Sequence, residues 1–326
     1  MTTPSERLLI AHSNADSYAP QVRQRFPDIE LAIARDENEL AGLLPDFIPT
    51  IAYSCTTRAF PRHLHRPIME QPGLRWLHVG GSGYEHFSGL DVQRITLTNG
   101  RGVLAGFQAD TVMGAIIALN HDFHGFRTGQ QQRRFEARRF RGLAGQRLLV
   151  VGAGAIGRAV IGRAAGFGFH ITAVTRDGRR VEGCNDATRL DELPRAVTMA
   201  DIVSLHLPLN EQTRHIIDAR LLAAMKHDAI LVNTARGAVV DEAALIAELD
   251  RGRFRGVYLD VFENEPLPPE SPLWAHERVM ITPHCSDQVE DWEDRHAMFF
   301  IDNLQRWVDG RRLENVVSQP LPSPSS

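Results

Sequence analysis

The middle of the chain alternates short apolar runs with amphipathic stretches. RLLVVG (147–152), HITAVTR (170–176), DIVSLHLP (201–208), AILVNTA (229–235), GVYLDVF (256–262) and VMITPH (279–284) read as strands. Their apolar residues are successive rather than alternating. That pattern predicts strands covered on both faces, as in a parallel sheet flanked by helices. Between them, DEAALIAELDRG predicts a helix with Asp241 as N-cap, Leu245 and Leu249 four residues apart, and Gly252 as its stop. Repeated strand–helix alternation of this kind makes residues 103–286 an α/β domain with a doubly wound parallel sheet.

The first hundred residues carry a second, smaller alternation. RLLIAHS, ELAIAR, TIAYSC, LRWLHVGG and RITLTNG are short strand candidates separated by polar or helical stretches. Residues 288–317 read as helical, with Phe299, Leu304 and Trp307 at near-helical spacing in DRHAMFFIDNLQRWVDG, and are expected to pack back on the N-terminal domain.

Composition narrows the classes. A chain of 326 residues exceeds what one hydrophobic core usually organises, so two domains are expected. No apolar run approaches the roughly 18 residues of a membrane helix. The start, MTTPSERLLIAHS, lacks a basic region followed by an apolar block, so no secretory signal is expected and the reading is cytoplasmic. Cys55, Cys184 and Cys285 are few, odd in number and far apart, which suggests reduced thiols and no metal site. A net charge of -4 gives no general attraction to nucleic acid. QQRRFEARRFRG (131–142) is the one basic cluster; it reads as a solvated surface segment or subunit contact rather than a nucleic-acid patch. SQPLPSPSS at the end resembles a disordered tail.

LLVVGAGAIGRAV places Gly152, Gly154 and Gly157 in the G-x-G-x-x-G spacing, with Ala155 and Ile156 between the last two. Such glycines permit the tight turn, the close backbone approach to a pyrophosphate and the packing of helix on strand. The spacing alone is a weak signal. Here it follows an apolar run and opens a helical pattern, which is the context of a dinucleotide site. Where an acidic residue would take the ribose of NAD, the chain reads AVTRDGRR. Thr175 stands at the acidic position and Arg176 follows, with Arg179 or Arg180 available for a second contact. A hydroxyl plus a guanidinium suits a 2′-phosphate, so NADP(H) is favoured. The other reading is a solvated basic turn, with Asp177 serving the ribose of NAD(H) instead.

Three further groups follow strand-like runs: Arg236 after AILVNTA, Glu265 in DVFENEPLP and His284 at the end of VMITPHC. In open parallel sheets, ligands bind beyond the carboxyl ends of the strands. Singly these residues are a surface arginine, a loop glutamate and a capped histidine. Together they are a candidate catalytic set.

VVGAGAIGRAV, SLHLPLNEQTRHII, LVNTARGAVVDEAAL, LDVFENEPLP and ITPHC resemble successive signatures of the D-isomer-specific 2-hydroxyacid dehydrogenase family, continuously from about residue 95 to 285. The likeness is looser over the N-terminal domain, where LHVGGSGYEHF resembles the family's glycine-rich substrate loop. The resemblance implies a Rossmann domain over 103–286 and a smaller flavodoxin-like substrate domain made of 1–102 and 287–326. It also implies a homodimer built mainly through the nucleotide domain. It gives Arg236 the role of binding the substrate carboxylate and carbonyl, His284 that of acid/base, and Glu265 that of its carboxylate partner. Asp260 falls near the nicotinamide amide, and the backbone around Gly80 and Gly81 falls at the substrate carboxylate. His206, Leu207, Pro208, Thr213, Thr234 and Ala235 line the cofactor cleft.

The implied activity is hydride transfer between NADP(H) and a small 2-keto or D-2-hydroxy acid. The chain departs from the family's usual residues after the histidine, reading HCSDQVEDW, which raises the question of a reactive Cys285. Asp110 stands where many relatives carry glutamate, and Tyr84 and His86 bear on substrate choice or are structural. Two other readings keep the scaffold: a corepressor-like dinucleotide sensor, and a formate-type dehydrogenase whose histidine has no carbonyl oxygen to protonate.

Overall fold

The apolar runs become the strands of two parallel sheets in the computed structural model, which describes residues 6–57, 60–83, 87 and 94–317. Tyr84, His86 and the SQPLPSPSS end lie outside the described residues. The first sheet contains β1 (Arg7–Ala11), β2 (Glu30–Ala34), β3 (Ile51–Cys55), β4 (Trp76–Gly80) and β5 (Thr96–Asn99), in the order β2-β1-β3-β4-β5. The second contains β6 (Arg147–Val151), β7 (His170–Thr175), β8 (Asp186–Arg189), β9 (Ile202–Leu205), β10 (Ala229–Asn233), β11 (Phe254–Leu259) and β12 (Val279–Ile281). Its order is β12-β11-β10-β9-β6-β7-β8, so the winding reverses between β6 and β9. The chain divides into two compact units, Met1–Leu104 with Val289–Ser326, and Ala105–Gln288.

The seven-stranded sheet shows why consecutive apolar residues are needed. Leu149, Val203, Leu231 and Val257 enter one aliphatic core, while Leu148, Val150, Ile202, Ile230 and Val232 enter another. Strand side chains alternate between faces, so two covered faces demand apolar residues at every position. Each fully buried Leu or Val contributes about 1.5–3 kcal/mol, which makes Leu231→Ala a costly change. The edge strand β8, DATR, has no such run and was not expected. Its register against β7, Thr172 with Asp186 through Thr175 with Arg189, comes from backbone pairing that only the neighbouring strand supplies.

The helix Glu242–Asp250 begins with the Asp241 carboxylate accepting from the Ala244 amide at 2.9 Å, and Leu245 and Leu249 are buried beneath it. Gly252, at φ +70°, ends it. The C-terminal helix Trp292–Val308 buries Ala297, Phe300, Ile301 and Leu304, a stripe at helical spacing. It packs on the first sheet: Phe300 stacks on Tyr53 at 4.7 Å and Trp307 on Trp76 at 5.3 Å. Phe299 lies at the side of this stripe, half-buried against His78.

The basic segment 131–142 is irregular after Gln131 and runs over the surface. Two of its arginines are spent on this chain's own carboxylates, Arg138 on Asp122 and Arg141 on Asp228. Among the described residues, no helix is long and apolar enough to cross a membrane.

Candidate active site

β6 ends at Val151, and Gly152 turns the chain at φ +96° with its amide bonded to Val174. A Cβ on Gly152 would stand 2.7 Å from the His206 carbonyl, across the point where the winding reverses. A Cβ on Gly157 would collide with the Gly152 carbonyl, so the helix Ala155–Ala165 closes tightly on the strand exit. Gly154 is the N-cap and has nothing within 4 Å of a Cβ position. The first turn, starting at Ala155 and Ile156, carries no acidic residue. The result is an open, positively polarised helix end of the kind a pyrophosphate fits.

The β9 exit is held from inside. Ser204 Oγ meets His206 Nε2 at 2.9 Å, and Thr234 Oγ1 lies 3.4 Å from its Nδ1. Burial lowers the His206 imidazole to about 3, so it stays neutral. Thr213, buried, donates to the Pro208 carbonyl at 2.7 Å and accepts from the Asn210 amide at 2.8 Å, closing the loop that begins with Leu207. Past β7, Thr175 donates to the Arg179 carbonyl at 3.3 Å. Arg179 holds the Asp177 carboxylate at 2.6 Å, and Arg180 donates to the Asn185 carbonyl at 2.7 Å. Arg176 is exposed and, among the described residues, has no carboxylate partner.

Asp260, only 1% exposed at the end of β11, organises the second half of the site. Its carboxylate accepts from Thr282 Oγ1 at 2.5 Å, the Cys285 amide at 2.9 Å, the Ser286 amide at 3.1 Å and Ser286 Oγ at 2.5 Å. Its carbonyl accepts from the His284 amide at 2.8 Å. These bonds hold His284 at φ +50°, a conformation a non-glycine residue adopts only under constraint. Nδ1 of His284 lies 2.7 Å from Glu265 Oε2, while Glu265 Oε1 accepts from the Phe262 amide at 3.0 Å.

The hydrogen bond to Glu265 raises the His284 pKa, against opposing contributions from burial and from Arg236. Burial pushes the Glu265 carboxyl up, but its bonds to His284 and Phe262 outweigh that and hold it below the usual range. Arg236 leaves β10 within electrostatic reach of both, its Nη1 donating to the Ala235 carbonyl at 2.7 Å. Gly237 follows because a Cβ there would collide with the Phe262–Glu263 backbone, and any side chain would push the arginine turn off the glutamate loop.

Several supports were not evident in the sequence. Asn233 clamps the turn, donating to the Arg236 carbonyl at 3.1 Å and accepting from the Ala235 amide at 3.1 Å. Gln108 bridges the Thr234 carbonyl and Ser286 Oγ at 3.0 and 3.1 Å. Asp287 is a half-buried carboxyl raised by burial and by Asp260, with His284 and Arg236 acting against the rise. An Asn after an apolar strand and a Gln in a helix are common, so nothing marked them in advance. Burial and Asp260 also raise the Cys285 thiol, which argues against a reactive thiolate. Asp110 pairs with Arg163 across two helices.

In the other unit, Gly80 closes β4 and Gly81 turns at φ +93°. The Gly81 amide is directed at His296 Nδ1, 3.4 Å away. The amides of Ser82 and Gly83, next along the loop, have no acceptor among the described residues.

A family model described as D-isomer specific 2-hydroxyacid dehydrogenase, NAD binding domain, matches residues 113–286. The chain is 35% identical over 264 residues to a glyoxylate reductase of Korarchaeum cryptofilum, covering 77% of this chain and 78% of that one. It is 33% identical over 263 residues to a glyoxylate/hydroxypyruvate reductase B of Escherichia fergusonii, covering 76% and 79%. A D-isomer specific 2-hydroxyacid dehydrogenase from Xanthobacter autotrophicus Py2, solved in complex with NADPH and MES, superimposes with a TM-score of 0.81 at 27% identity, covering 97% of this chain and 98% of that chain. The chain therefore belongs to the D-isomer specific 2-hydroxyacid dehydrogenase family and is an NAD(P)-dependent, glyoxylate reductase-like oxidoreductase.

Proposed function

We propose that the chain reduces a small 2-keto acid of the glyoxylate or hydroxypyruvate kind, with NADPH as the preferred cofactor and Arg236, His284 and Glu265 as the chemical groups. The observation that carries this reading is the 2.7 Å bond between His284 and Glu265, made within electrostatic reach of Arg236. When bound, the reduced nicotinamide supplies hydride to the carbonyl carbon. With Nδ1 committed to Glu265, the His284 imidazolium presents its Nε2 proton, which passes to the carbonyl oxygen as charge develops there. The guanidinium of Arg236 pairs with the substrate carboxylate and stabilises the growing negative charge. By the family resemblance, the backbone around Gly80 and Gly81 also binds the substrate carboxylate. In the direction of oxidation, neutral His284 takes the hydroxyl proton.

In this reading the Ala105–Gln288 unit holds the dinucleotide. Gly152, Gly154, Ala155, Ile156 and Gly157 meet the pyrophosphate. His206, Leu207, Pro208, Thr213, Thr234, Ala235 and Asp260 line the nicotinamide end. Three observations support NADPH: Thr175 brings no charge, Asp177 is neutralised by Arg179, and Arg176 remains available for a 2′-phosphate. The Xanthobacter relative, which holds NADPH, points the same way. Exposed Phe123, Phe126, Phe135 and Phe140, on and after the helix Phe123–Gln131, support a homodimer through this segment, since a soluble monomer rarely exposes so many aromatic side chains in so short a stretch.

The test is kcat/KM for glyoxylate, hydroxypyruvate and pyruvate, each with NADPH and with NADH. Substrate-dependent oxidation is expected, at least about tenfold better with NADPH, as one lost charged contact commonly costs that much. Tight dinucleotide binding without turnover across the panel would overturn the enzymatic reading. A preference for NADH would overturn the cofactor assignment.

A further inference from the structure

The glycine loop after β4 is pinned at three points by residues remote from it in the chain. The Gly81 amide donates to His296 Nδ1 at 3.4 Å. Its carbonyl accepts from the Gly100 amide at 2.7 Å, an amide shared with the Val79 carbonyl at 3.1 Å. The Ser82 carbonyl accepts from Asn99 Nδ2 at 2.8 Å. His296 comes from the C-terminal helix, and Gly100 is what lets it arrive. A Cβ on Gly100 would collide with the imidazole and stand 3.0 Å from the Gly81 nitrogen. Both peptide groups of Gly81 are thus held, at a φ of +93° that glycine tolerates.

We propose that His296 is a positioning residue for the reaction: by accepting from the Gly81 amide it sets the conformation in which the loop presents its next two amides, Ser82 and Gly83, to the substrate carboxylate. This rests on the reading above that the loop binds that carboxylate. The imidazole is suited to the task because it is an uncharged acceptor. It is 2% exposed, beside the Trp292 ring, and burial together with His12 holds its pKa at about 4. A protonated ring would present N–H against N–H and release the peptide.

The contact is long and single, so its loss should act through substrate binding and be modest. His296→Phe keeps a ring of similar volume and removes the acceptor. It is expected to raise KM for glyoxylate about three- to tenfold, with kcat and the Kd for NADPH within about twofold of the unaltered protein. His296→Gln, which retains an acceptor, should lie closer to the unaltered protein. An unchanged glyoxylate KM in His296→Phe, an equal loss in NADPH binding, or a His296→Gln no better than His296→Phe would overturn the proposal. If the unaltered protein turns over no keto acid, or if the variants do not fold, hydrogen exchange at the Gly81 amide of the unaltered protein decides. Protection supports the clamp, and exchange at the rate of a free surface amide overturns it.

Discussion

In the Ala105–Gln288 unit, the His284 side chain is 41% exposed and meets a carboxylate at 2.7 Å, whereas in the other unit His12, His78 and His296 are at most 2% exposed. Tyr18, Tyr53, Trp76 and Phe300 surround His12 and His78, and Trp292 meets His296. The two environments shift the same side chain in opposite directions. Glu265 raises His284, while burial lowers His12 and His296 to about 4 and His78 to about 3. Proximity of a carboxylate does not by itself decide the sign. Glu293 stands 4.0 Å from His12, and the cost of desolvation still prevails. A histidine that must carry a proton near neutral pH needs a direct hydrogen bond to an anion and continued access to water. One that must remain an acceptor is better enclosed.

The comparison breaks first if the exposed histidine is dispensable. His284→Ala is expected to lower kcat for keto-acid reduction about 10²–10⁴-fold, the usual range for a lost general acid; near-normal turnover would remove the assigned role. Arg236→Ala should lower kcat/KM about 10²-fold, through both KM and kcat, because two charged hydrogen bonds are lost. It should also move the alkaline limb of the reduction profile upward, since the arginine opposes the charge on His284. A downward move would contradict that coupling.

Acid stability sharpens the other side. Unfolded histidines bind protons near pH 6.5, and the buried ones do so only near 3–4, so protons favour unfolding throughout that interval. The stability associated with His12, His78 and His296 is therefore complete above about pH 6.5 and drains away towards pH 4. The loss is on the order of several kcal/mol for the three together. Trp76, Trp292 and Trp307, three of the four tryptophans, belong to the same unit. Urea unfolding followed by their fluorescence should show the decline, and His12→Phe should flatten it; a flat profile in the unaltered protein would refute the burial argument. The smallest effect is expected for Glu265→Gln. The His284 pKa should fall once the anionic partner is gone, so the alkaline limb of reduction moves to lower pH. An unmoved limb would show that the bond does not tune the acid.

Much was legible before folding. Apolar runs marked every strand except β8, whose short polar DATR has no burial signal. The family was legible too, from LVNTARGAVVDEAAL and its companions. Arg236, Glu265 and His284 could be singled out as residue types following strands, and the resemblance paired Glu265 with His284, yet no distance between them could be read. Asp260 read as a cofactor neighbour, and the fold shows its carboxylate saturated by donors from residues 282–286. Arg179 read as a phosphate contact and is paired with Asp177.

Residue order alone determined the α/β class, the strand positions other than β8, the glycine turn and the family, because period, apolar runs and short spacings are local properties. Only the tertiary structure decided which polar groups meet. Glu265 and His284 are 19 residues apart, and Gly81 and His296 are 215 apart. A hydrogen bond depends on distance and direction to within tenths of an ångström, and those are settled by strand register and helix packing rather than by any pattern along the chain.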